Sequence, residues 1–371
     1  MTSTMAVPMM KAFDVAARDA ALARQAQLLK PPGSLGRLEE VAGWVAGVTG
    51  RARPTPRTRI VVAAADHGVA AEGVSAFPQE VTGQMLGAFG AGIAAITVLA
   101  RHAGADVVLV DAGVIAPPGG VAALDVGLPA PSRNLAVEPA LRVDEVRSAL
   151  RAGRDLAAQA AADGIDLLIA GEMGIGNTTP AACLTAALTG LDAAAVVGRG
   201  TGIDDAGLQR KRAVIERALA LHGPHVDGDM VELLRRLGGG ELAVLCGLAL
   251  GAGEHGLGLI CDGVIATAAV AVAVAMAPAL RDRLLAGHRS VEPAHEHLLA
   301  WLGLRPLVEL DLRLGEGSGA ATALLLVQAA CALHDGMATF AEAAVTVAQG
   351  ATSPGGSSSG GSLPRPPEDD R

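Results

Sequence analysis

Five times in this chain an apolar run of strand length ends on an acidic residue with glycine close behind. The runs span residues 60–68, 107–113, 167–174, 257–263 and 310–317, and their acids are Asp66, Asp111, Glu172, Asp262 and Glu316. In an open parallel α/β sheet, ligands bind in the crevice beyond the carboxyl ends of the strands. Strands of one such sheet would bring these carboxylates together there, with glycine allowing close backbone approach. Acids ringed by glycine loops suit a reaction in which positive charge develops on a phosphate-bearing substrate.

The 371 residues exceed one average domain but fit a single large α/β unit. A net charge of −9 with no basic block argues against nucleic acid as a partner. The four cysteines, Cys183, Cys246, Cys261 and Cys331, are scattered through apolar stretches. They form no CxxC pair and read as buried thiols of a reducing, cytoplasmic compartment. Charges through the first thirty residues leave no room for a signal peptide. The uncharged stretch 263–280 approaches membrane-span length but consists mainly of Ala, Val and Gly, so it reads as a buried helix and no membrane span is expected.

Residues 10–29 read as a helix closed by Lys30-Pro31-Pro32, and Ser34 offers an N-cap for a second. From Arg59 the pattern is strand, glycine loop, helix, as in βαβ units. Strands are predicted at 59–65, 106–110, 166–171, 196–198, 257–261 and 307–314. Helices are predicted at 90–102, 143–163, 180–188, 207–221, 240–251 and 320–334. The expected fold class is α/β, a parallel sheet flanked by helices in a Rossmann-like three-layer arrangement. Residues 1–58 supply N-terminal helices, 59–334 the catalytic domain and 335–350 a C-terminal helix. Residues 351–371, rich in Gly, Ser and Pro, form a disordered tail.

The strongest local signal is the segment Gly171–Ala182, where a strand meets three glycines and a helix begins near Thr178 or Thr179. Free N–H groups and the helix dipole make such an end an anion site, although it matches neither the Walker loop nor the dinucleotide fingerprint. A plain βα turn is the alternative reading. Lys211 follows a second glycine cluster, Gly198-Arg199-Gly200-Thr201-Gly202, and lysine otherwise occurs only at 11 and 30. It reads either as a compact ammonium for phosphate or as a solvated lysine. Glu316 lies between Gly315 and Gly317. It is either a base whose pKa apolar surroundings raise or an acid capping the following helix.

Among the histidines, His67 beside Asp66 is the strongest candidate, His222 and His225 read as solvated, and His295 and His297 cannot share a metal as an i, i+4 pair would. At this level three functions remain open: a group transferase, a non-catalytic nucleotide sensor in the same crevice, and a metal-dependent phosphatase or kinase using Asp66, Asp111 and Asp262.

Six segments together resemble the nicotinate-nucleotide–dimethylbenzimidazole phosphoribosyltransferase family: residues 30–39, 65–85, 171–182, 197–215, 261–269 and 313–321. The likeness runs from about residue 10 to 350. It implies transfer of phosphoribose from nicotinate mononucleotide to 5,6-dimethylbenzimidazole, giving α-ribazole 5′-phosphate and nicotinate in cobalamin lower-ligand synthesis. It implies Glu316 as the base, and Glu172, Gly174, Gly176, Asn177, Thr178 and Lys211 at the phosphoribosyl site. Residues 75–85 correspond to the benzimidazole pocket, with Phe77 and Met85 against the ring. Asp66, Asp262, Ser290 and Gly315 are the remaining expected substrate contacts. The resemblance further implies no metal or cofactor, a homodimer, and a small helical domain built from both chain ends.

Overall fold

In the computed structural model, which describes residues 9–346, the elements follow one another as the alternation requires. Two helices open the chain, α1 (Val15–Gln25) and α2 (Arg37–Thr49). Strand β1 (Thr58–Ala64) precedes α3 (Glu80–Gly90), α4 (Ala95–Ala103), β2 (Asp106–Asp111) and the short β3 (Ala123–Asp125). Next come α5 (Val143–Ala162), β4 (Leu167–Met173), α6 (Thr178–Thr189), α7 (Ala193–Val196), α8 (Asp205–His222), α9 (Met230–Leu237) and α10 (Gly240–His255). The order closes with β5 (Gly258–Cys261), α11 (Val264–Met276), β6 (Leu284–Ala286), α12 (Pro293–Leu302) and α13 (Ser318–Gly336).

The strands form one sheet in the order β3-β2-β1-β4-β5-β6, and every neighbouring pair is parallel. Strand order reverses between β1 and β4, where such sheets bind ligands. Ala64 pairs with Asp111 on one side and Met173 on the other, so the ends of β1, β2 and β4 lie level. Side chains alternate between two cores. Val61, Ala63, Leu168 and Ala170 pack with α5, α6, α10 and α11, while Ile60, Val62, Leu167 and Ile169 pack with α2, α4 and α13. Because strands buried on both faces need no polar side, they read as apolar runs.

Helix α11 lies inside the first core with Val264 through Val274 all buried, as its small side chains suggest. Helices α5 and α10 approach closely: a Cβ on Gly153 would lie 2.0 Å from the Val244 carbonyl oxygen. The stretch Glu80–Ala103 has the length and apolarity to cross a bilayer, but the backbone breaks at Gly92 (φ +72) into α3 and α4.

Several expectations are corrected. Residues 307–314 form no strand. They lie beside 286–291 through isolated bonds such as Val308 N–H to the Gly287 carbonyl, and Asp311 at φ 54 interrupts any ladder. Residues 196–198 close α7 instead of forming a strand, whereas β3 and β6, three residues each, were not anticipated. Ser34 is no cap: Gly36 stands at the start of α2 without a side-chain bond. Beyond Gly336 the described residues turn without forming a helix, and the expected tail at 351–371 lies outside them. The two ends of the described chain do meet. Leu28 bridges Thr339, and Arg24 donates to the His334 and Met337 carbonyls.

Candidate active site

At the switch point, β4 runs out through Glu172 into the loop Gly174–Gly176 and α6. Asn177 stands at the helix start with φ −64, and its side chain caps nothing there. Its Nδ2 instead donates back to the Glu172 carboxylate. Thr178 meets Lys211 from α8: the ammonium donates to Thr178 Oγ1 at 2.6 Å and to the Gly198 carbonyl at 3.1 Å. Lys211 is fully buried, against the solvated alternative. Burial drives its pKa down to about 8, with Glu292 opposing. Glu292 also accepts the Gly200 N–H at 2.8 Å. The two glycine clusters that the sequence singled out are therefore joined through Lys211.

The second half of the site comes from β5 and the turn before α13. Three successive residues have left-handed backbone, Gly315 (φ 84), Glu316 (φ 65) and Gly317 (φ 89). For glutamate this conformation is costly and persists only where its surroundings enforce it. Here the Glu316 N–H donates to the Glu172 carbonyl at 3.2 Å. A Cβ on Gly171 would lie 2.4 Å from the Glu316 carbonyl oxygen, so only glycine fits opposite. Asp262 accepts from Gly317 N–H at 3.2 Å and Ala320 N–H at 2.9 Å, pinning the turn from the other side.

The Glu316 carboxylate is 3% exposed and accepts the Ile96 N–H at 3.3 Å. It thus meets the first turn of α4, rather than capping the helix that follows it. Burial, reinforced by the Asp262 charge, raises its pKa, against the pull of that N–H. Glu172 is pushed up to about 8, first by burial and then by Asp262, Glu241 and Glu316, with Asn177 opposing. Burial raises Asp262 as well. Burial thus raises all three carboxyls, and the Asp262 charge adds to the rise at both Glu172 and Glu316, so each binds a proton more readily than an ordinary carboxylate.

One cleft gathers Glu172, Gly174, Asn177, Thr178, Ser290 and Gly315, together with His288 and Arg313. Phe77 and Met85 stand apart from its walls. Phe77 is 51% exposed on a loop that Thr201 ties down through Ser75 and the Ala76 N–H. Asp66 is buried and accepts the Ile115 N–H at 2.9 Å. Asp111 accepts from Gly113 and Val114 within its own turn, and so does not join the convergence expected of the five acids. His67 is buried against Glu241, Nε2 to Oε1 2.8 Å, below the Gly174 loop. His222, read as solvated, is buried and bonded to the Leu135 carbonyl, whereas His225 is exposed. Glu241 and His288 carried no signal in the sequence, and Arg313 only as the first residue of the segment 313–321, because their proximity arises only from long-range folding.

Residues 10–345 match the family described as Phosphoribosyltransferase. A nicotinate-nucleotide–dimethylbenzimidazole phosphoribosyltransferase of Pseudomonas syringae pv. syringae is 52% identical over 338 residues, covering 90% of this chain and 96% of that one. The protein of that name from Chloroflexus aggregans is 50% identical, covering 90% and 95%. The crystal structure of CobT from Thermus thermophilus superposes with a TM-score of 0.84 at 49% identity, covering 89% of this chain and 99% of that one. With the parallel sheet, the glycine loops and the buried acids in place, these likenesses put the chain in the nicotinate-nucleotide–dimethylbenzimidazole phosphoribosyltransferase family.

Proposed function

We propose that this protein transfers phosphoribose from nicotinate mononucleotide to 5,6-dimethylbenzimidazole, with Glu316 as the general base. The observation that carries the reading is the Glu316 carboxylate itself: buried, raised in pKa, and held by the Ile96 N–H in a backbone conformation its neighbours enforce. Nicotinate leaves from a pyridinium and so departs without needing a proton. The ribosyl centre acquires oxocarbenium character, which nearby carboxylates stabilise. As one azole nitrogen bonds to C1′, the other loses its proton to Glu316. Attack opposite the leaving base converts a β-linkage to an α-linkage.

In this reading the N–H groups at the start of α6, with Thr178 and Lys211, receive the phosphate. Gly174 and Gly176 let it approach, and Asn177 keeps Glu172 in place. Phe77 and Met85 flank the benzimidazole once it is seated. Asp66 and Asp262 act through the backbone turns they hold, and Ser290 and Gly315 line the bound nucleotide. The protein works as a homodimer, with the N-terminal helices and the chain end around Thr339 forming a smaller helical unit beside the sheet.

Incubating the purified protein with both substrates should release nicotinate and α-ribazole 5′-phosphate in equal amounts, followed by chromatography and mass. Glu316→Gln should keep its fold and nucleotide affinity while kcat falls roughly 10²–10⁴-fold, the usual worth of a positioned base. Near-normal turnover by that variant would remove Glu316 from the role.

A further inference from the structure

His288 lies against the start of α13, 3% exposed, and both of its ring nitrogens lack a hydrogen-bond partner among the described residues. An imidazole desolvated in this way costs free energy unless a charge nearby repays it. Asp262 is that charge: its Oδ1 stands 3.5 Å from His288 Nε2, and the histidine favours the ionised carboxylate. The ring is held by shape as well as charge. A Cβ on Gly319 would lie 2.1 Å from His288 Cδ2, so only glycine in that first helical turn lets the imidazole sit there.

The other groups around the ring leave His288 as the buried basic side chain set against Asp262 among the described residues. His295, from α12, stands 5.8 Å away between ring centroids. It takes the Ser290 N–H on Nδ1 at 2.9 Å and bonds Thr267 through Nε2 at 3.1 Å. Burial pushes its pKa down to about 3, so it stays neutral. Arg313 and Glu172 share the cleft wall, Arg313 on the exposed rim. Glu316 feels Asp262 directly.

We propose that His288 is a positioning residue for the transfer, acting through Asp262 on the turn that presents Glu316. The His288 ring beside it favours the ionised form of Asp262, and ionised Asp262 accepts the Gly317 and Ala320 N–H groups that fix the left-handed turn. Without the histidine, Asp262 holds a proton to higher pH. Its hydroxyl oxygen is then a weak acceptor for one of those two N–H groups, and the turn loosens its hold on the base. This inference rests on Glu316 as the base and adds a second group behind it.

The test is the pH dependence of His288→Gln with saturating nicotinate mononucleotide and dimethylbenzimidazole. The acid limb of kcat should move up by about one pH unit, because Asp262 loses the neighbour that favours its ionised form. The loss should be roughly tenfold near pH 6 and shrink towards pH 8.5, with KM for the nucleotide changed less than about twofold. Gly319→Ala, which displaces the ring while keeping the histidine, should reproduce the shift even if the first variant folds poorly. A profile that merely scales down at every pH, or a loss confined to KM, overturns the proposal. Glu316→Gln separates the two readings: if it retains turnover, the base is misassigned, whereas if only the His288 signature is missing, the base stands and the positioning role falls.

Discussion

Glu172 ionises in a place built to discourage it, and stability should record that. Its folded pKa, about 8, exceeds the ordinary glutamate value of 4.5. The folded protein therefore binds more protons than the unfolded chain between those values, and stability falls as pH rises through that window. Glu172→Gln removes the group, so its melting temperature relative to wild type should climb from pH 5 to pH 8. A constant difference across that range would mean that Glu172 titrates normally. Single residues were legible in the sequence where chemistry was unusual locally. Lysine at 211, rare in this chain, and glutamate between two glycines both stood out. His288 did not, because its meaning lies in Asp262 and Gly319, twenty-six and thirty-one residues away in opposite directions.

Among the elements, packing between α5 and α10 depends on two glycines without side chains to spare. Gly153 faces the Val244 carbonyl, and a Cβ on Gly247 would lie 2.2 Å from the Leu150 carbonyl oxygen. Gly153→Ala forces backbone apart from backbone and should cost about 3 kcal/mol, near the upper end for overpacking. Urea titration of the purified variant measures this; an unchanged midpoint would show that the helices can slide. Strands β1, β4 and β5 were readable because apolar runs buried on both faces leave a continuous signature, and the partly buried β2 because of its Val and Leu run. Three-residue strands such as β3 and β6 are too short to show a period. The alternation at 307–314 was real, but Asp311 at φ 54 stops the ladder that alternation implies. Helix existence was clearer than helix breaks: the forecast over 90–102 missed the interruption at Gly92.

Across the whole molecule, one arginine fastens the N-terminal segment to the sheet. Arg283 is buried and spends its guanidinium on backbone, donating to the carbonyls of Lys11, Ala12 and Gly256 at 2.6–3.1 Å. Arg283→Met leaves those carbonyls unpaired and should destabilise the protein by about 3 kcal/mol. Calorimetric melting tests it, and proteolysis should begin near residue 12 in the variant. The α/β class and the location of the crevice were legible in the residue pattern. This clasp was not, because its partners are carbonyls that any residue carries.

The crowding of Glu172, Asp262 and Glu316 has a consequence for ligand capture. In the empty crevice Glu172, raised to about 8, stores a hydrogen ion at neutral pH, and an arriving pyridinium takes over its electrostatic task. Nucleotide uptake should then expel protons into the medium, so that heats of association depend on the ionisation enthalpy of the buffer.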